Sequence, residues 1–198
     1  MCHGWSGSAS QFYPLMQLIA QLGFTALAYD HPAHGQSEGE YSHLPGFINA
    51  FDELLDTQDN IAGVVAHSMG SASVLESSHD KIQHVPFLLI APVLNYIDSL
   101  FEIVSKSGYS MKLFREIVAE LEQQYQYSLD TIDPYQYLLS RKQNTVIVHD
   151  KRDRFACFST SETAANSAEN IRLITTQGQG HGRVIHSEET MAAFKSLI

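Results

Sequence analysis

Five short apolar runs punctuate the chain, at residues 24–30, 61–68, 85–93, 145–150 and 171–176, each bounded by turn-forming or polar residues. Runs of this length rich in Val, Ile, Leu and Phe predict strands. They are nearly continuous in apolar residues rather than alternating, the pattern of a parallel sheet covered on both faces. Between them the apolar positions change period. Phe12, Leu15, Met16, Ile19 and Leu22 recur at helical spacing, as do Phe47, Ile48, Phe51, Leu54 and Leu55. Ser187 followed by Glu188 and Glu189 predicts the start of a terminal helix, since a hydroxyl cap and an acidic first turn suit its free N–H groups. Alternating strands and helices imply an α/β fold with a mostly parallel sheet and flanking helices, as a single domain over residues 1–198.

One region departs from this alternation. Residues 94–144 are too long for an ordinary connection and carry a helical stripe of Phe114, Ile117, Val118, Leu121 and Tyr125. They predict a helical cap or lid insertion. The Tyr-rich stretch that follows, "QQYQYSLDTIDPYQYLL", is expected to pack this cap on the body through aromatic rings with polar tips.

The 198 residues suffice for one substantial core. Twelve basic against 22 acidic residues leave a formal charge of −10, which argues against nucleic acid or an anionic membrane surface as the main partner. No apolar stretch approaches the length of a membrane span, and no leader pattern opens the chain, so the expected location is cytoplasmic. Cys2 and Cys157 lack the spacing of a disulfide framework or a zinc site. Oligomeric state is not legible in the sequence.

The strongest local signal is "VVAHSMGSA". An apolar run ends on Ser68, small residues follow at Gly70 and Ala72, and a helix can begin at once. This is a close variant of the nucleophile elbow, with Ala66 in the place where the pattern usually has Gly. A serine hydroxyl needs a base, and the base needs orienting. His181 follows the last predicted strand in the glycine-rich "TTQGQGHGRVI" and is the candidate base. The acid comes from "TVIVHDKRDRF": Asp153 lies in the loop beyond the strand and is better placed for a histidine ring than Asp150 at the strand end.

The chain order Ser68, Asp153, His181 is that of the α/β-hydrolases. "HGWSG" at residues 3–7 resembles the motif that closes the third strand in that superfamily, and "YDHPAHGQSEG" resembles its turn after the fourth, with Asp30, Gly35 and Ser37 in the matching places. The similarity extends over the whole chain except the cap. The resemblance implies an oxyanion hole formed by the backbone N–H groups of Trp5 and Met69, and a structural His3 that fixes its loop by hydrogen bonding. It implies no metal and no organic cofactor. The expected activity is serine hydrolysis of a small-molecule acyl ester or thioester through an acyl-enzyme; an aspartate nucleophile, as in dehalogenases, is not at position 68. The rival reading is a non-catalytic or truncated relative whose triad is not assembled, which a fluorophosphonate probe for Ser68 separates.

Two departures from the family carry further expectations. Where many relatives have Val-Pro after the acid, this chain has Ala156-Cys157, and Cys157 is expected as a small buried residue. Relatives place three strands before the "HGWSG" position, the third lying between the fourth and fifth. The chain is therefore expected either to leave a gap between residues 24–30 and 61–68 or to draw these strands together.

Overall fold

The computed structural model describes residues 1–197. In chain order the elements are α1 (Tyr13–Gln21), α2 (Leu44–Asp56), β1 (Val64–His67), α3 (Met69–Glu76), β2 (Phe87–Ile90), α4 (Tyr96–Lys106), α5 (Met111–Tyr125), α6 (Pro134–Ser140), β3 (Thr145–Asp150), α7 (Phe158–Ser167), β4 (Ile171–Thr176), α8 (Gly180–Arg183) and α9 (Glu188–Lys195). The four strands form one parallel sheet in the order β1-β2-β3-β4. Each crossover is helical, as parallel pairing requires.

The apolar runs are continuous because both faces of the sheet are covered. Every residue of β1, β2 and β3 is buried. Alternate side chains then serve two cores. Val64, Ala66, Phe87, Leu89 and Ile147 pack with residues of α2, α3, α6 and α7. Val65, Leu88, Ile90, Val146 and Val148 pack against α1 and α9. The Ser187 hydroxyl accepts from the Thr190 N–H at 3.1 Å and starts α9 as the sequence implies.

Residues 24–30 correct the strand expectation: among the described residues they form no ladder. A strand is defined by the ladder it makes with a partner. Residues 1–3 lie between this stretch and β1. The Cys2 N–H donates to the Val65 carbonyl and the His67 N–H to the Cys2 carbonyl, both at 2.9 Å, which makes the single bridge Cys2–Ala66. On the other side the Met1 amino group donates to the Leu27 carbonyl at 2.7 Å. Below Met1 the space stays open. It is a cavity of about 180 Å³ lined by Phe24, Leu27, Phe51, Ile61, Val64 and Leu88 among others, and Phe24 and Leu27 remain exposed beside it. Residues 24–30 and β1 are not drawn together: residues 1–3 lie between them.

Residues 94–144 are helical, but they divide. The short α6 returns to the body, where Leu138 is fully buried in the core with α3 and α7. By contrast, α4 and α5 pack on each other, with the Phe101 and Phe114 rings edge-on at 5.3 Å, and α4 meets the body through Tyr96, Ile97 and Leu100, which cluster with Leu44, Phe47 and Met69. No residue of α5 is buried. Its apolar stripe faces a cavity rather than a packed core: Phe114, Ile117, Val118 and Leu121 line one of about 200 Å³. Tyr125 and Tyr127 make the expected aromatic attachment. Tyr125 packs edge-on against His43, and the Tyr127 hydroxyl donates to Glu76 at 2.8 Å. Burial pushes the Glu76 carboxyl up to about 6, against these donors.

Candidate active site

The elbow is built by local strain and a close backbone approach. Ser68 follows β1 directly and begins α3 with φ +55° and ψ −125°, a conformation that non-glycine residues seldom adopt. It swings the hydroxyl out at the carboxyl end of the sheet. Gly70 permits what comes next: a Cβ there would stand 2.5 Å from the carbonyl oxygens of both Cys2 and His3. Gly4 is equally constrained, since its added Cβ would meet the Ser68 Cβ at 2.5 Å. The "HGWSG" loop and the elbow therefore touch backbone to backbone, with no room for a side chain between them.

The loop itself is held by histidines. His3 is fully buried; its Nδ1–H donates to the Gly4 carbonyl at 2.8 Å and its Nε2 accepts from the His31 N–H at 3.0 Å. The Ser6 N–H donates to His34 Nε2 at 3.1 Å, and Gly7 closes a turn onto the Gly4 carbonyl. Asp30 adds a second brace. Its carboxylate accepts from the Ala9 N–H at 2.7 Å and the Gln36 N–H at 2.9 Å, and these donors hold it below the usual carboxylate range. Gly35, at φ +52°, is needed here because a Cβ would fall onto the Asp30 carboxylate. These contacts leave the Trp5 and Met69 N–H groups without a protein acceptor among the described residues.

Loops from the ends of three parallel strands converge on the Ser68 hydroxyl. His181 Nε2 lies 2.8 Å from Ser68 Oγ, and His181 Nδ1 lies 2.7 Å from Asp153 Oδ2. The arrangement is continuous: with Nδ1–H donating to the carboxylate, the Nε2 lone pair accepts from the serine. The Asp153 side chain is completely buried. Burial works against its charge, but the His149 and His181 rings and the N–H groups of Ala156 and Phe155 outweigh it and hold the carboxyl well below its ordinary range. Asp150 does not meet the His181 ring; its partners are Thr176 and the backbone at Arg152 and Gln179.

Two further histidines escaped the sequence reading. His67, next to the nucleophile, places its Nε2 3.0 Å from the His181 carbonyl. Burial drops its pKa to about 3, so it remains neutral and donates. His149 is wholly buried on β3, with Nδ1 2.8 Å from Ser161 Oγ and Nε2 3.3 Å from Asp153 Oδ2. That last approach is bent and short of a full hydrogen bond, yet it turns an N–H dipole toward the carboxylate. The visible signal was the i, i+4 spacing of His149 and Asp153, which means nothing until a strand end and loop fold back together.

Cys157 corrects another expectation. It is exposed rather than buried, because it precedes α7 and its Sγ turns outward to Ser159 Oγ at 3.1 Å. Ala156 is the buried member of the pair, and its N–H donates to Asp153 at 3.0 Å.

The family model "Serine aminopeptidase, S33" matches residues 1–157. The chain belongs to this family of α/β-hydrolases. Rat (Rattus norvegicus) monoglyceride lipase is 28% identical over 101 residues, 46% of this chain, and the match spans only 33% of that enzyme's length. Among solved structures, Est1E of Butyrivibrio proteoclasticus with bound ferulic acid superposes with a TM-score of 0.70 at 18% identity, covering 99% of this chain and 88% of that one. The Pyrococcus furiosus esterase Pf2001 gives 0.68 at 21% identity, with 99% and 79% coverage. These structural likenesses establish the α/β-hydrolase fold.

Two outcomes follow from the site. Gly4→Ala should cost about tenfold to a hundredfold in turnover of an activated ester, since a displacement near 1 Å already has that effect; turnover equal to wild type would show that the backbone contact is not needed. Asp153, depressed in the folded chain, contributes stability that is present above the unfolded carboxyl value of about 3.9 and is lost as pH falls through the folded value. Urea midpoints measured from pH 6 to pH 3 should therefore fall less steeply for Asp153→Asn than for wild type. Parallel curves would contradict the depressed carboxyl.

Proposed function

We propose that this chain is a serine hydrolase cleaving a carboxylic ester or thioester of a small or medium acyl group through an acyl-enzyme intermediate. The observation that carries the reading is the unbroken hydrogen-bonded series Ser68, His181, Asp153, with distances of 2.8 and 2.7 Å. In this reading Ser68 Oγ attacks the acyl carbonyl as its proton passes to His181 Nε2. Asp153 stays ionised, keeps Nδ1 protonated and stabilises the imidazolium. The imidazolium then protonates the leaving alcohol or thiol. Water attacks the acyl-enzyme with the same nitrogen as base, and Ser68 is released.

The unengaged Trp5 and Met69 N–H groups supply the oxyanion donors. Preorganised donors aimed at charge that develops only in the transition state contribute a large share of such catalysis. The cavity of about 200 Å³ supports an apolar acyl group: Trp5 lines it together with Leu44, Tyr96, Leu100, Phe114 and Ile132, and its size is below the range usual for drug-sized ligands. In this reading α4 and α5 are the cap over that cavity, and the relatives described as a lipase and esterases favour an ester over a peptide substrate.

The test is turnover of a p-nitrophenyl ester series of graded acyl length. Ser68→Ala should lower kcat by roughly 10⁴-fold or more with the fold intact by circular dichroism, and His181→Ala should lose nearly as much. The double variant should lose little beyond either single one, because the pair acts as a unit. Comparable turnover in Ser68→Ala, or fully additive losses, would contradict the assignment.

A further inference from the structure

The segment that carries His181 is short and glycine-rich: Gly178 precedes α8 and Gly180 opens it, both at positive φ, and α8 is a single turn. Arg183 donates to the Gly178 carbonyl at 2.8 Å and His67 Nε2 lies 3.0 Å from the His181 carbonyl, but the link to the neighbouring loop is the buried carboxylate of Asp150, the last residue of β3. Asp150 Oδ2 accepts from the Gln179 N–H at 2.7 Å and from Thr176 Oγ1 at 2.8 Å; Oδ1 accepts from the Arg152 N–H at 2.8 Å. The side chain is completely buried. Burial alone would raise its pKa, but donors at Arg152, Thr176, Gln179 and Gly180 more than offset this and keep it ionised. The backbone around it repeats the connection: the Asp153 N–H donates to the Asp150 carbonyl at 3.1 Å, and the Lys151 N–H to the Thr176 carbonyl at 3.0 Å. One carboxylate thus joins the loop that bears Asp153 to the loop that bears His181.

We infer that Asp150 is a positioning residue: bonded to both loops, it sets the His181 imidazole at the spacing that lets it meet Ser68 and Asp153 together. The inference rests on the proposed role of His181 as the base. An ionised carboxylate is required for a physical reason. The Arg152 and Gln179 N–H groups and the Thr176 hydroxyl converge on it, and a neutral amide of the same shape offers one acceptor oxygen and two hydrogens where donors already point. Asp150→Asn therefore leaves at least one loop donor facing another donor in a dry site.

The experiment combines kinetics with proton NMR of the full chain. In Asp150→Asn, kcat on an activated ester should fall about tenfold or more while KM stays within about twofold, because the acyl pocket is untouched and the base is displaced. Ser77→Ala serves as the control for lost stability alone; its hydroxyl bonds Asp52, away from these loops, and its kcat should match wild type. The direct readout is the downfield Nδ1 proton shared by His181 and Asp153, which should be present in wild type and lost or broadened in Asp150→Asn. Gln179→Pro is the second variant if Asp150→Asn does not fold. It deletes the loop donor at a residue whose φ of −77° already suits proline, and should give the same loss. A downfield proton unchanged in the folded variant, or a kcat no lower than that of Ser77→Ala, would overturn the inference. Absence of ester turnover in wild type would instead fail the proposed function, and the NMR signal would still report whether Asp150 positions His181.

Discussion

The arrangement depends on one steric constraint: the backbone of residues 2–4 lies directly against the backbone of residues 66–70. Two main-chain hydrogen bonds at 2.9 Å pair Cys2 with β1, and the contact then tightens until only hydrogen fits at Gly4 and Gly70. Ser68 is held at positive φ inside this contact, a strain that the surrounding pairing has to offset. Without it the serine has no fixed direction. The sheet matters to the chemistry chiefly because it presents the ends of β1, β3 and β4 side by side, which is where ligands meet parallel α/β sheets.

Around this contact the chain uses histidines as backbone braces. His3 spans its own loop and residue 31, His34 holds Ser6, and His67 holds the His181 carbonyl. A neutral imidazole suits the task, since it offers one donor and one acceptor on a rigid ring. Burial lowers the pKa of His3 and takes that of His67 to about 3, which keeps both neutral; that of His31, stacked flat on Phe47 at 3.6 Å, falls to about 2. Negative charge, by contrast, is concentrated on carboxylates that collect backbone N–H groups. Asp30, Asp150 and Asp153 each tie a separate loop to the site, and each is kept ionised by the donors it gathers.

What was legible in the sequence was what local chemistry decides. The runs that became β3 and β4 were readable residue for residue, because turn residues bound them and both flanks are polar. The elbow was readable because its small residues are demanded within a few positions of Ser68. Long-range partnership was not readable. Residues 24–30 have strand composition, yet only a paired neighbour makes a ladder. The stripe on α5 was visible as an apolar face, but whether such a face meets a packed core or a cavity depends on how α4 and α5 settle over Trp5. Asp150 and Asp153 are three residues apart in one loop; their separate duties arise because the His181 loop passes above one and the imidazole reaches the other.

The proposed oxyanion donors, the Trp5 and Met69 N–H groups beside the glycine contact, should point at the position taken by the carbonyl oxygen when Ser68 attacks its carbon. A crystal structure of the chain after reaction with a small fluorophosphonate tests this directly, since the tetrahedral phosphorus adduct stands in for the acyl transition state. The account predicts modification at Ser68 alone, with the phosphoryl oxygen within about 2.7–3.1 Å of both the Trp5 and Met69 nitrogens. An adduct on another residue, or a phosphoryl oxygen turned away from both amides, would contradict it.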